Sequence, residues 1–386
     1  MTDLAFTTPI DDAILRGAFW LEHRPTGLLP HRLPATALAQ NSDPQLAMAQ
    51  SQPSGVRLDF TTEARTIALE TLPTKRRYLG MPPRPDGVYD LCIDDVLVQQ
   101  RRALGGMVLE IDMAQGSVTP IPGSPQILRF DNLPSRAKRV TLWLPHDETT
   151  ELVALRSDAP LLPIVSGREK RWVHHGSSIS QGSNATSPTG IWPVIAARNL
   201  GLDLTNLGFG GSALLDPFTA RAMRDRPADL LSIKIGINLF NLDLMRMRAF
   251  GPAVEGFLDT LREGHPDIPL LVISPIFCPI HETTPGPGRF DPEALRQGRL
   301  GFVASGDPAE MAAGKLTLVS IRERLAAIVA RRARHDPHIA YLDGRDLYGE
   351  ADNAILPLPD GLHPDAEIHA LIGQRFTERL GRILAD

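Results

Sequence analysis

The chain is predicted to be a two-part α/β protein, an antiparallel β-sandwich followed by a parallel sheet with helices on both faces. Three features of the sequence lead there. Residues 54–157 carry short apolar runs that alternate with a period of two, bounded by turn residues. Beyond Pro163 the pattern changes to nearly continuous apolar runs separated by helical stretches, the grammar of a buried parallel sheet. The length, 386 residues, is also long for one core, so two domains are expected, 1–165 and 166–386, with the boundary near 163–168.

In the first domain the period-two runs fall at 56–60, 67–71, 88–93 and 140–144. The intervening 73–87, 116–125 and 132–136 are rich in Gly, Pro, Ser and Asn and read as loops. Residues 34–54, rich in Ala, Gln, Ser and Pro, read as an exposed connection with room for one short helix. In the second domain strands are expected at 171–175, 203–207, 229–235, 269–274 and 339–342. Helices are expected near 190–200, 216–225, 252–264 and 315–334, with a last one after Pro364. Residues 281–314, rich in Gly, Pro and Arg, exceed a usual connection and suggest a lid or a substrate-binding loop beside the strand ends.

Composition removes several function classes. No run approaches the ~20 apolar residues that a membrane span needs, and no basic amphipathic helix stands out for a membrane surface. With a net charge of -5 and no Lys/Arg block, the chain has no electrostatic footprint for nucleic acid. Cys92 and Cys278 lie far apart without metal-ligand spacing, so neither a disulfide scaffold nor a structural zinc site is expected. The first dozen residues lack a basic stretch and an apolar stretch, and a cytoplasmic location is expected.

Four short stretches fall at, or just beyond, the C-terminal ends of expected parallel strands: Gly176-Ser177-Ser178-Ile179, 206–211 with Gly208, Gly210 and Gly211, Gly236-Ile237-Asn238, and Asp360-Gly361-Leu362-His363. Each alone has an ordinary reading as a helix cap or tight turn. In a doubly wound sheet, however, such ends share one rim. Together they bring a serine, backbone N–H groups, a side-chain amide and an acid–imidazole pair. Acyl transfer needs those groups: a base to activate the hydroxyl, a carboxylate to orient the base, and donors placed in advance for an oxyanion. The N–H of Ser178, the N–H of Gly211 and the amide of Asn238 suit the last role.

These four stretches resemble, in order, the four blocks of the SGNH or GDSL hydrolases. The resemblance puts Ser178 in the nucleophile position, Gly211 and Asn238 in the second and third blocks, and Asp360 and His363 in the last. It implies a flavodoxin-like catalytic domain and a Ser178–His363–Asp360 triad with Ser178, Gly211 and Asn238 as oxyanion donors. Gly87-Val88-Tyr89-Asp90-Leu91 is loosely similar to a signature of members that carry an N-terminal β-sandwich. Three positions depart from the pattern: Ser177 replaces an Asp, Leu239 follows Asn238 where many members have Asp, and Tyr89 precedes Asp90. The resemblance implies a cofactor-independent esterase acting on a small-molecule acyl ester, such as an O-acetyl group on a carbohydrate. Acyl transfer to another acceptor, and carbohydrate binding without catalysis, are the alternatives.

Other residues have rival readings. The glycines at 208–211 also fit a dinucleotide loop, but they follow the second strand of the domain and no ribose-binding acid ends the next. His174 and His175 could join His281, Asp343 and Asp346 at a metal. Neighbouring strand residues point to opposite faces, so structural histidines and no metal are expected. Ser180 and Ser183 read as caps or loop hydroxyls. Trp192 reads as core or as a substrate wall, and Arg289, Arg296 and Arg299 as solvated or as contacts for an anionic substrate group.

Overall fold

A computed structural model describes residues 4–113, 115–164 and 169–385. The chain divides into two compact units. One takes the described residues of Met1–Ala35, Ala47–Glu169 and Thr186–Thr189; the other takes Thr36–Leu46, Lys170–Ala185 and Gly190–Asp386. The expected boundary residues 165–168 lie outside the described residues. A single cut does not describe the division, because segments 36–46 and 186–189 each group with the other unit.

The first unit is a sandwich of an eight-stranded and a six-stranded sheet. Alternate residues of both sheets meet in its core, among them Leu58, Phe60, Leu91, Val140 and Leu142 from one sheet and Ile67, Leu69, Phe130, Leu152 and Leu155 from the other. Pairing is antiparallel except between Ile67–Tyr78 and Met107–Asp112, which run parallel. Two stretches expected to be loops are strands. Ile67–Tyr78 continues well past Pro73, and Ser117–Ile121 pairs with Met107–Asp112. The second is exposed along its whole length and carries Pro120, so no burial imposes the alternation that betrays a strand. Strands also begin earlier than expected, with Phe6–Thr8, Leu15–Arg16, Trp20–His23 and Leu28–His31, each too short to show a period. The 34–54 connection holds two helices, Ala35–Leu38 and Pro44–Ser51.

The second unit is built on five parallel strands, Lys170–Gly176, Leu202–Gly208, Leu230–Lys234, Leu270–Ile273 and Ile339–Leu342. Their spatial order is second, first, third, fourth, fifth, the flavodoxin-like order. The third and fourth strands are buried at every residue, as a sheet covered on both faces requires. Helices Trp192–Leu200, Pro217–Asp225, Met247–Gly264, Leu318–Arg332 and Ala366–Ala385 follow the strands. The helix expected from 252 starts at Met247, because Pro252 lies inside it rather than in its first turn. Among the described residues, no helix is long and apolar enough to cross a membrane.

Candidate active site

The strand Lys170–Gly176 ends in a four-residue helix, Ser178–Gln181. Ser177 precedes it in extended conformation and caps it, its hydroxyl accepting from the Ile179 N–H at 3.4 Å. Ser178 is thus the first residue of the helix, where a backbone N–H has no partner within the helix. Its hydroxyl lies 3.0 Å from Nε2 of His363. On the other side of the ring, Nδ1 of His363 lies 2.8 Å from Oδ2 of Asp360. A carboxylate only accepts, so Nδ1 carries the proton and Nε2 is left to receive one from Ser178.

Asp360 is itself held in place. Its Oδ1 accepts from the N–H groups of Leu362 (2.9 Å) and His363 (2.6 Å), and its Oδ2 also accepts from the Asn184 amide at 3.2 Å. Burial pushes its pKa up. The hydrogen bond and charge of His363 and the two backbone donors outweigh that and hold it below the ordinary carboxylate range. The group is therefore ionised at neutral pH.

The loop after the second strand packs against the Ser178 helix. A Cβ on Gly208 would come within 2.4 Å of the Gln181 nitrogen, so only glycine permits this approach. Gly210 donates its N–H to Oε1 of Gln181 at 2.7 Å, and Gly211 follows with φ +75. Neither the N–H of Ser178 nor that of Gly211 has an acceptor among the described residues. Asn238 is the second residue of the short helix Ile237–Asn241. Its Oδ1 accepts from the Ala213 N–H at 3.1 Å, which fixes the amide plane and leaves Nδ2 without a partner among the described residues. Leu239, at the position of the family's Asp, is fully buried in the same helix.

The remaining candidates sort by their partners. His174 is buried between the hydroxyls of Ser232 and Ser180, each at 2.8 Å, and burial holds its pKa well below the ordinary histidine range. Ser180 is thereby turned away from nucleophile duty. His175 points to the other face and bonds the Leu207 carbonyl. Among the described residues, no three or more His, Cys, Asp or Glu side chains are arranged to hold a metal ion. The substrate-wall reading of Trp192 is corrected: the side chain has no exposed surface and packs against Trp172, His174 and Phe376. The Arg289 side chain is exposed and has no hydrogen bond or ion pair with a described residue, while Arg296 pairs with Glu293 and Arg299 donates to Gln297.

Segment 281–314 is tied to the site. It forms a hairpin of Gly288–Phe290 and Phe302–Ala304. The Phe302 N–H donates to the Asp360 carbonyl at 2.8 Å, and the Phe302 ring meets the His363 ring edge to face with centroids 5.4 Å apart. Phe290 lies opposite Phe302 in register, 5.2 Å ring to ring. Asn184, Gln181 and Phe302 all touch this machinery, yet none lies on a motif that sequence reading could single out.

The sequence profile of the GDSL-like lipase/acylhydrolase family matches residues 175–371. A comparison with curated protein sequences returns no match. Among solved structures, the salicylyl-acyltransferase SsfX3 from a tetracycline biosynthetic pathway is 26% identical over 97% of this chain and 96% of its own, with a TM-score of 0.79. A family two carbohydrate esterase from Clostridium thermocellum, in complex with cellohexaose, shares the fold at 13% identity, covering 86% of this chain and 93% of that one with a TM-score of 0.57. An acetyl xylan esterase from the rumen bacterium Butyrivibrio proteoclasticus does so at 11%, covering 97% of each chain with a TM-score of 0.53.

Proposed function

Because the chain belongs to the GDSL-like lipase/acylhydrolase family, we propose that it is a serine enzyme that opens small acyl esters through an acyl-Ser178 intermediate and releases the acyl group to water. The observation that carries this reading is the unbroken hydrogen-bonded line from the Ser178 hydroxyl through His363 to Asp360.

His363 Nε2 takes the Ser178 proton as Oγ bonds to the ester carbon, and the carbonyl π electrons move onto oxygen. The N–H groups of Ser178 and Gly211 and the Nδ2 of Asn238 are the donors available for that negative charge. Collapse of the tetrahedral species breaks the bond to the alcohol, which leaves with the proton held on His363. Water then gives a proton to Nε2 and attacks the acyl-enzyme, and collapse returns Ser178 with its hydrogen. Asp360 stays ionised throughout and keeps the ring in one tautomer.

Acetyl esters of carbohydrates are one substrate class within this reading, supported by fold likeness to carbohydrate esterases alone. A second reading, transfer of the acyl group to an alcohol acceptor instead of water, is favoured by the likeness to an acyltransferase over nearly the whole chain. The chemistry differs only in the second nucleophile.

The test is labelling with an organophosphonate followed by peptide mapping. Ser178 is expected to carry the label, and Ser178→Ala is expected to abolish both labelling and turnover of p-nitrophenyl acetate, whereas Ser180→Ala retains turnover. Label on another serine, or turnover by Ser178→Ala, refutes the proposal. Adding a sugar alcohol at low concentration to the assay separates the two readings by partition of the acyl-enzyme: an acyltransferase diverts most of the acetate into the new ester, whereas an esterase still releases most of it to water.

A further inference from the structure

The Gly211 N–H and the Gly210 carbonyl belong to one planar peptide unit, so whatever fixes the carbonyl fixes the direction of the N–H. Two glycines in succession give this unit the greatest freedom to turn, and a wandering N–H is a poor oxyanion donor. The Gly210 side of the unit is held through its own N–H by Gln181 Oε1 at 2.7 Å. The carbonyl is held from a distant part of the chain: Nε2 of Gln45 donates to it at 2.7 Å. Gln45 also lies flat against the next residue, since a Cβ on Gly211 would sit 3.3 Å from both its Cγ and its Nε2.

Gln45 is exposed, and an exposed amide would ordinarily move freely. This one is fixed at its root. Its own N–H donates to Oδ1 of Asp43 (2.9 Å), and Asn41 brackets Asp43 by accepting from its N–H (2.8 Å) and donating to its carbonyl (2.9 Å). One residue further back, Gln40 accepts from Arg221 at 2.6 Å. The segment 36–46 belongs to the same compact unit as the parallel sheet, although more than 120 residues separate it from the first strand.

We infer that Gln45 is a positioning residue for the oxyanion hole: it locks the Gly210–Gly211 peptide with the Gly211 N–H turned toward the reacting oxygen. By donating to the carbonyl it also polarises the peptide and strengthens the N–H at its other end. This rests on the reading of Gly211 as an oxyanion donor. Its consequence lies in the transition state, where the charge is concentrated, and not in ground-state binding.

The test uses the full chain with Gln45→Met, which keeps the length and removes the donor, and Gln45→Glu, which keeps the shape and turns a donor into an acceptor. The readouts are the rate of Ser178 labelling by an organophosphonate, kcat and KM for p-nitrophenyl acetate, and the melting temperature. Gln45→Met is expected to slow labelling and kcat about 3- to 10-fold, the worth of one hydrogen bond, with KM within about twofold and an unchanged melting temperature. Gln45→Glu is expected to lose more at pH 8, and its rate relative to wild type is expected to recover toward pH 5, where a protonated carboxyl can donate again. The inference is overturned if both variants label and turn over like wild type, if KM rises with kcat unchanged, or if the loss follows a lowered melting temperature. Wild-type label on a serine other than Ser178 would instead refute the proposed function itself.

Discussion

At the scale of single residues, Asn238 separates a catalytic from a structural role. Its Oδ1 is occupied by the Ala213 N–H, so under the proposed mechanism the amide has two tasks for two atoms. Truncation to Ala removes both, but Asn238→Asp keeps the acceptor and the shape while removing the donor. Asn238→Asp is therefore expected to keep the wild-type melting temperature within a few degrees and to lower kcat about 10²-fold or more, with KM changed much less. A normal kcat in that variant would leave two backbone donors as the whole hole. Ser178, Gly211 and Asn238 were legible as candidates in the sequence because each stands on a short motif behind an expected strand, and Asp360 and His363 because they form an Asp-x-x-His stretch just before the last expected helix. Gln45 and Asn184 were not. Their local sequence says only helix start and loop, and their meaning arises from partners 165 and 176 residues away.

At the scale of elements, the hairpin of Gly288–Phe290 and Phe302–Ala304 shows what periodicity cannot reach. Strands of three residues carry no period, so the sequence marked 281–314 only as a long insertion. The structure gives it a fixed place: the Phe302 backbone holds the Asp360 carbonyl and its ring flanks His363. The expected parallel strands were far easier to read, since burial on both faces writes an unbroken apolar run. An edge-to-face aromatic contact contributes about 0.5–1.5 kcal/mol, which is roughly a 2- to 12-fold effect on a rate that depends on His363 being held. Phe302→Ala is expected to lower kcat by such a factor, and Phe302→Leu by less, with labelling of Ser178 slowed in parallel. Rates equal to wild type in Phe302→Ala would mean that the backbone bond alone positions the loop.

At the scale of the whole molecule, each unit buries a charge that pH acts on near neutrality, Glu148 in one and Lys234 in the other, and these two respond in opposite senses. In the sandwich, Glu148 accepts from the Gly87 N–H through Oε1 at 2.8 Å, and its Oε2 has no partner among the described residues. Burial raises its pKa to about 7. A raised acid binds its proton more tightly when folded, so its contribution is fully present below the unfolded value of 4.5 and is lost as pH rises through about 7. In the parallel sheet, Lys234 is fully buried, and burial, with the neighbouring Arg322 charge, lowers its pKa to about 7. A lowered base does the reverse: its contribution is present above the unfolded value of 10.5 and is lost as pH falls through about 7. Two substitutions isolate these effects from every other titrating group. Glu148→Gln keeps an acceptor for Gly87 and is expected to raise the melting temperature at pH 9 while changing it little at pH 5. Lys234→Met, close to it in volume, is expected to raise it more at pH 5 than at pH 9. Calorimetry at both pH values checks both, and because two units need not melt as one, each variant is to be read on the transition it moves. Equal shifts at the two pH values would mean that packing, and not the buried charge, sets the cost at that position.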